Sequence, residues 1–153
     1  SLVEMDSYGH DVEAGWLLCE AARVLEDRQL MDRANRLALD VTDACLAEGL
    51  SDKGYMMYEK KGGRTTGHAS WWGQIETMIA CVNAWQISGN DVYLQSADTV
   101  WTFVKDCMID REYGEWYSDC FDGEPKKDTP KVSMWRCPYH TVRLGVEIHN
   151  RLK

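Results

Sequence analysis

An all-α fold made of helical hairpins is predicted by two features of this sequence. Apolar residues recur with helical spacing over five segments of the chain. In addition, three short clusters, each with a tryptophan beside an imidazole or a carboxylate, lie at His10, Trp71 and Trp135, at intervals of about 60 residues. This regular recurrence indicates one supersecondary unit used repeatedly, and helical hairpins of this period build α/α toroids. Because five helices cannot close such a ring, we expect apolar helix faces on the open side.

The first hairpin is predicted over residues 8–49. Its first helix covers residues 8–27, where acidic Asp11 and Glu13 lie in the first turn and interact favourably with the helix dipole. The second helix continues the same apolar period from Met31, and a glycine at position 49 is its expected end. Two consecutive helices of this length form an antiparallel pair.

The second hairpin and a final single helix follow later in the chain. The third helix is predicted over residues 70–88, and Gly89 ends it. The fourth helix is predicted over residues 91–108, because apolar residues keep the helical period after Asp91, which is a usable cap. The fifth helix begins at Pro138, since proline is tolerated in the first helical turn, and runs to the end of the sequence.

Short strands are expected in the two irregular stretches between helices. Residues 55–58 form a candidate strand before the Gly62-Gly63 break. In the second stretch, residues 115–118 and 131–134 are the expected arms of a long hairpin around the turn at Asp122-Gly123.

Charge and cysteine usage limit the class of partner. The net charge of −8 argues against nucleic acid or an anionic membrane as a partner, because both need clustered Lys and Arg. The six cysteines lie singly without a C-x-x-C pair, which is typical of a reduced compartment, although an even number also permits disulfides. No stretch reaches the roughly 20 apolar residues of a membrane span. We therefore expect a cytoplasmic protein that binds a small molecule.

Four motifs carry a resemblance to a known family: Gly9-His10-Asp11-Val12-Glu13-Ala14-Gly15-Trp16-Leu17-Leu18, Trp71-Trp72-x-Gln74-x-Glu76, Gly114-Glu115-Trp116 and Trp135-x-x-Pro138-Tyr139-His140. In order and spacing they resemble the C-terminal half of the N-acylglucosamine 2-epimerase and cellobiose 2-epimerase family, and the first motif is closer to the cellobiose branch. The resemblance implies that residues 1–153 are the C-terminal part of a single epimerase domain, about half of an (α/α)6 barrel. The missing N-terminal half, or a second copy of the chain, would then cover the open side.

The family chemistry gives each motif an expected role. Inversion at C2 of a reducing sugar removes a carbon-bound proton and returns it to the other face of an enediolate, a task suited to two histidines. By resemblance, His10 and His140 form this acid/base pair, each in the first turn of an inner helix. Glu13 is implied as a third catalytic residue, because it lies one turn after His10 and could orient it or bind a sugar hydroxyl. The implied substrate-binding residues are Trp16, Trp72, Glu76 and Trp135.

Two alternatives to the epimerase remain open at this point. The first is an (α/α)-barrel glycoside hydrolase, in which Glu13 and Glu76 would be the acid and the base. These two residues could also be buried ion-pair partners without a catalytic role. A half barrel that binds sugar without turnover is the other alternative. No cofactor is expected, and no metal, because His10 with Glu13 alone is weak evidence for a metal site. By resemblance, the groups that open the sugar ring lie in the N-terminal half, so residues 1–153 alone are expected to be inactive.

Overall fold

The computed structural model describes residues 4–153, and five α-helices dominate this part of the chain. The helices are α1 (Tyr8–Leu25), α2 (Arg28–Gly49), α3 (Trp71–Ser88), α4 (Val92–Phe103) and α5 (Tyr139–Arg151). The predicted number and order of helices are therefore confirmed. No helix among the described residues is long and apolar enough to cross a membrane.

The helices form two layers. Helices α1 and α2 pack as one hairpin and α3 and α4 as the next, while α3 also packs against α1 on one side and α5 on the other. Helix α3 is thus the centre of the fold, and its residues 73–84 are all buried. Because α1, α3 and α5 share one layer, their N-terminal ends are brought close together. This layer is the predicted set of inner helices.

The helix ends follow from local side-chain and backbone chemistry. Helix α1 ends at Leu25 rather than at the predicted residue 27, because Asp27 already caps α2 by accepting bonds from two backbone N–H groups of its first turn. Gly89 ends α3 with a left-handed backbone, as predicted, and its N–H bonds to the carbonyl of Trp85. The fourth helix continues past Phe103 as a π-helical turn over Val104–Met108, so it covers nearly the whole predicted span.

Two small antiparallel sheets hold the loops between the helices. The first has the order β1-β2-β3, with β1 at Met5–Asp6, β2 at Glu59–Lys61 and β3 at Arg64–Thr66. The second has the order β4-β5-β6, with β4 at Ala69–Ser70, β5 at Asp119–Phe121 and β6 at Glu124–Pro125.

Both strand predictions placed the strands too far along the chain from the turns at Gly62 and Asp122. The strand predicted at residues 55–58 is wrong, because Gly62 and Gly63 both adopt positive φ and form a tight turn whose arms are the residues directly beside them. The predicted arms at residues 115–118 and 131–134 are also wrong. Asp122 and Gly123 do form the turn, but its arms are β5 and β6, which adjoin it.

An apolar groove runs between α3, α4 and α5 on the outer side of the fold. It has a volume of about 640 Å³, and its walls include Met78, Leu94, Trp101, Leu144 and Ile148. The groove is one of several exposed apolar surfaces, since α1, α2 and α5 also expose apolar residues such as Leu18, Leu37 and Val146. That a second copy or a missing half covers the open side stays a prediction.

Candidate active site

Three predicted site residues meet where the inner helices begin. His10 is in the first turn of α1, Trp72 in that of α3 and His140 in that of α5. The ring centroid of Trp72 lies 4.4 Å from that of His10 and 6.0 Å from that of His140. The structure therefore brings two imidazoles to one indole ring at one end of the fold, as the repeat predicted.

Gly9 allows α1 and α3 to approach at this point. A Cβ atom at position 9 would lie 2.5 Å from Cζ3 of Trp72 and 3.1 Å from the Cα atom of Gly73. No carbon atom fits at these distances, so a side chain at position 9 would displace Trp72 from its contact with His10.

We expect Gly9→Ala to lower both stability and activity of the complete protein that contains this chain. Overpacking of this kind costs about 1–3 kcal/mol, and the displaced indole would no longer lie beside His10. Thermal denaturation and initial rates measure the two effects. Gly15→Ala is the matched control on the same helix, because a Cβ there meets Ala38 at an ordinary 3.5 Å. Equal behaviour of the two variants would contradict the packing argument.

His10 is held from its own helix end. Its Nδ1 atom lies 2.7 Å from Oγ of Ser7, the residue that precedes α1, and the imidazole is exposed. Glu13 does not hold His10, because its carboxylate accepts a bond from Arg143 instead, and the alternative that Glu13 binds a sugar hydroxyl stays a prediction. Ser7 was missed by the sequence analysis, although serine is a common N-cap residue directly before a helix.

His140 is held by a buried carboxylate. Only 4% of the residue is exposed, and its Nδ1 atom lies 2.6 Å from Oε1 of Glu76. The Tyr139 ring lies 3.8 Å from the imidazole, centroid to centroid. Since an ionised carboxylate only accepts hydrogen bonds, Nδ1 of His140 is the donor in this contact.

Glu76 is the centre of this hydrogen-bond network. The residue is 0% exposed, and the indole N–H of Trp16 donates to its Oε2 atom at 2.9 Å. His140 and Arg143 both donate to Oε1, the latter at 3.0 Å. Direct contact between a sugar and Glu76, as predicted, does not fit this burial. The geometry gives Glu76 a positioning role.

Trp16 and Trp135 differ sharply in their surroundings. Trp16 is only 3% exposed, with the guanidinium carbons of Arg143 and Arg151 at 5.5 Å and 5.7 Å from its ring. Two cations cover this ring and its N–H is bound to Glu76, so a stacking role for Trp16 stays a prediction that this geometry does not favour. Trp135 is 83% exposed and presents its indole to solvent.

Arg136 anchors the segment that carries Trp135. It is buried, donates to Oγ of Ser118 at 2.6 Å and to the Trp116 carbonyl, and its Cζ atom lies 4.9 Å from the Trp71 ring centroid. Burial lowers the pKa of Arg136, a shift that the nearby carboxylates oppose. The sequence analysis did not identify this residue, because a single arginine in an irregular segment carries no periodic signal.

Arg143 is the third residue around the candidate site that the sequence analysis missed, after Ser7 and Arg136. It lies three residues after His140, so helical spacing places both side chains on one face of α5. Burial acts to lower its pKa, but the hydrogen bond to Glu13 and the charges of both carboxylates outweigh burial, so the pKa is raised. The guanidinium is therefore a permanent cation.

Arg143 also bears on whether a metal ion could bind here. Glu13, Glu76 and His140 each offer a ligand atom, and these atoms lie within 4.8 Å of one another. However, Nη1 of Arg143 lies 2.6 Å from Glu13 and 3.0 Å from Glu76, so a positive charge already bridges the two carboxylates. A metal ion would have to displace this guanidinium.

Comparisons with known proteins point to one family. A sequence model of the family described as N-acylglucosamine 2-epimerase (GlcNAc 2-epimerase) matches residues 6–143. The cellobiose 2-epimerase of Bacteroides fragilis is 40% identical over 147 residues, which cover 93% of this chain and 37% of that protein. A solved sugar epimerase from a ruminal bacterium has a TM-score of 0.93 at 35% identity, over 97% of this chain and 39% of that one. The chain thus spans less than half the length of these relatives.

A more distant likeness extends to another enzyme class. A family 76 glycoside hydrolase from a bovine Bacteroides thetaiotaomicron strain has a TM-score of 0.69 at 12% identity, over 95% of this chain and 31% of that one. Identity this low shows a shared fold alone. The predicted fold class, helical hairpins that form part of an (α/α)6 barrel, is confirmed.

Proposed function

Because the chain belongs to the N-acylglucosamine 2-epimerase family, we propose that the protein containing it inverts the configuration at C2 of a reducing sugar. The substrate is a glucose-terminated β-1,4 disaccharide or an N-acylhexosamine. The observation that carries the proposal is the pair of histidines, His10 and His140, beside the single indole of Trp72. Both imidazoles are held at Nδ1, which leaves Nε2 of each for proton transfer.

In the proposed reaction the open-chain sugar loses the proton on C2 to one imidazole. The electron pair of the C–H bond forms the C1–C2 double bond of an enediolate, and the carbonyl oxygen takes the negative charge. The other imidazole, in its protonated form, then delivers a proton to the opposite face of C2, where the C1–C2 double-bond electrons form the new C–H bond and the oxyanion re-forms the C1 carbonyl. Each histidine ends in the protonation state in which the other began, so the pair serves both directions of the reaction.

The two histidines have different surroundings, and those of His140 favour its protonated form during the reaction. His140 is buried and donates Nδ1–H to the carboxylate of Glu76, which stabilises the imidazolium that forms when Nε2 takes a proton. His10 is exposed and is held by a neutral hydroxyl. The Trp72 indole beside both imidazoles offers a flat apolar surface for one face of a sugar.

The proposal is tested by incubating the complete protein with cellobiose, mannobiose or N-acetylglucosamine in heavy water. Epimerisation exchanges the C2 proton with solvent and leaves glycosidic bonds intact, and proton NMR of C2 detects the exchange. Cleavage of the disaccharide would instead indicate the hydrolase, and binding without exchange would indicate a sugar-binding protein.

The glycoside hydrolase is the weaker candidate. Its acid and base would be Glu13 and Glu76, and one of these must reach a glycosidic oxygen. Glu76 is wholly buried, and Arg143 neutralises both carboxylates. Neither is therefore placed to donate a proton to a leaving group.

We expect Trp135→Ala to weaken sugar binding while leaving stability unchanged. The indole is exposed, so its removal costs little in the fold, whereas a stacking surface for a sugar ring is lost. The expected result is a KM raised about 10-fold, roughly 1.4 kcal/mol, with kcat within about 2-fold. Met134→Ala, which changes an equally exposed neighbour, is the matched control. An unchanged KM for Trp135→Ala would remove this residue from the proposed sugar site.

A further inference from the structure

We infer that Arg143 is a positioning residue that sets the geometry of His140 through Glu76. The inference extends the proposed function, because it assigns a role to a side chain that does not itself transfer a proton. It depends on one feature of the network, a single carboxylate oxygen shared by an imidazole and a guanidinium.

The shared acceptor is Oε1 of Glu76. Nδ1 of His140 lies 2.6 Å from it and Nη1 of Arg143 lies 3.0 Å from it. The other oxygen of Glu76 is bound to the Trp16 indole. The carboxylate is therefore fixed at both oxygens, and the two donors on Oε1 determine where the imidazole ring can lie.

The same guanidinium nitrogen bridges to a second carboxylate. Nη1 of Arg143 lies 2.6 Å from Oε1 of Glu13, so one cation neutralises an acidic pair that spans α1 and α3. The rings of Trp16 and Tyr139 flank the guanidinium, with its Cζ atom 5.5 Å and 5.4 Å from their centroids. Salt bridges and aromatic rings together leave this side chain little freedom.

Loss of the guanidinium would leave Glu13 and Glu76 close together without a counter-ion. Repulsion between two carboxylates is relieved either by movement of one or by protonation of one. Because Glu76 is wholly buried, each outcome changes its hydrogen bond to Nδ1 of His140. The imidazole would then lose the orientation that proton transfer to C2 requires.

Arg151 provides a matched control on the same helix. Its guanidinium carbon lies 5.7 Å from the Trp16 ring, and it forms salt bridges with Glu20 and Glu147. It packs on the same indole as Arg143 but contacts neither Glu76 nor Glu13. A purely structural role of Arg143 predicts similar effects for Arg143→Ala and Arg151→Ala.

The test compares both variants in the complete protein, with two independent readouts. For Arg143→Ala we expect kcat to fall about 10²-fold, the usual cost of a group misplaced by about 1 Å, with KM within about 3-fold. Arg143→Lys should recover part of kcat, because it restores the charge without the planar fork. Added guanidinium chloride at millimolar concentration should raise kcat of Arg143→Ala but not that of His140→Ala.

The second readout does not depend on turnover. In ¹H–¹⁵N NMR of the imidazole rings, the His140 Nδ1–H signal should shift in Arg143→Ala and stay in place in Arg151→Ala. An unmoved signal, or kcat and melting temperature falling equally in both alanine variants, would overturn the inference. If the parent protein shows no C2 exchange, the proposed function fails, and the NMR comparison still decides the role of Arg143.

Discussion

His140→Ala and His10→Ala each lower the rate of C2 epimerisation in the complete protein by about 10²–10⁴-fold, the range over which a positioned acid or base contributes. Both side chains act on the transition state, so the affinity for the sugar should change little. Interconversion of the two epimers, followed by NMR, measures the rate, and calorimetric titration measures binding. His149→Ala is the matched control, because this imidazole also lies on α5 but is exposed near the outer groove.

Two outcomes would contradict this expectation. If either active-site variant keeps a wild-type rate, its histidine is not an acid or base of the reaction. If the affinity for the sugar falls as much as the rate, the histidine binds the sugar and does not transfer the C2 proton. Trp72 lies beside both imidazoles and provides the stacking surface. Loss of one imidazole should therefore lower the rate without removing the surface that binds the sugar.

Glu76→Gln has the largest expected effect on stability. Three donors, from Trp16, His140 and Arg143, point at the two carboxylate oxygens of a residue that is 0% exposed. Glutamine has the same shape but only one acceptor oxygen. Its NH2 group, which is itself a donor, must therefore face at least one of these three donors. Disruption of a buried ion pair costs about 3–5 kcal/mol, and kcat should fall because Nδ1 of His140 loses its partner.

Urea denaturation measures the stability of Glu76→Gln, and initial rates measure its kcat. Asp32→Asn is the control for removal of one negative charge, since this residue is exposed on α2. A Glu76→Gln variant as stable as the parent would mean that the three donors do not depend on the carboxylate. A stable variant with a wild-type kcat would also remove Glu76 from the positioning of His140.

Helical periodicity predicted the helices well and the strands poorly. The apolar spacing gave all five helices, because each has at least three turns over which a period can be recognised. The strands have two or three residues each, too few for any alternation. The turns at Gly62 and Asp122 set the positions of β2, β3, β5 and β6, so a prediction starting from the turns would have found these four strands.

The site could be predicted in its location but not in its burial. His10, Trp72 and His140 lie at helix starts, and a repeat of helical hairpins places those starts together. Burial was harder to predict, because residues 73–84 of α3 are all buried although Gln74, Glu76 and Asn83 are polar, so residue type does not mark the exposed face. The family resemblance implied Glu76 and Trp16 as sugar contacts, although both are interior.

Exchange of the C2 proton for deuterium, measured separately from each epimer, tests the two-histidine account most directly. If each imidazole serves one face of C2, His10→Ala should still exchange the proton of one epimer and His140→Ala only that of the other, with interconversion lost in both. Exchange of both epimers at wild-type rates in the two variants would contradict the account, because some other group would then carry the proton.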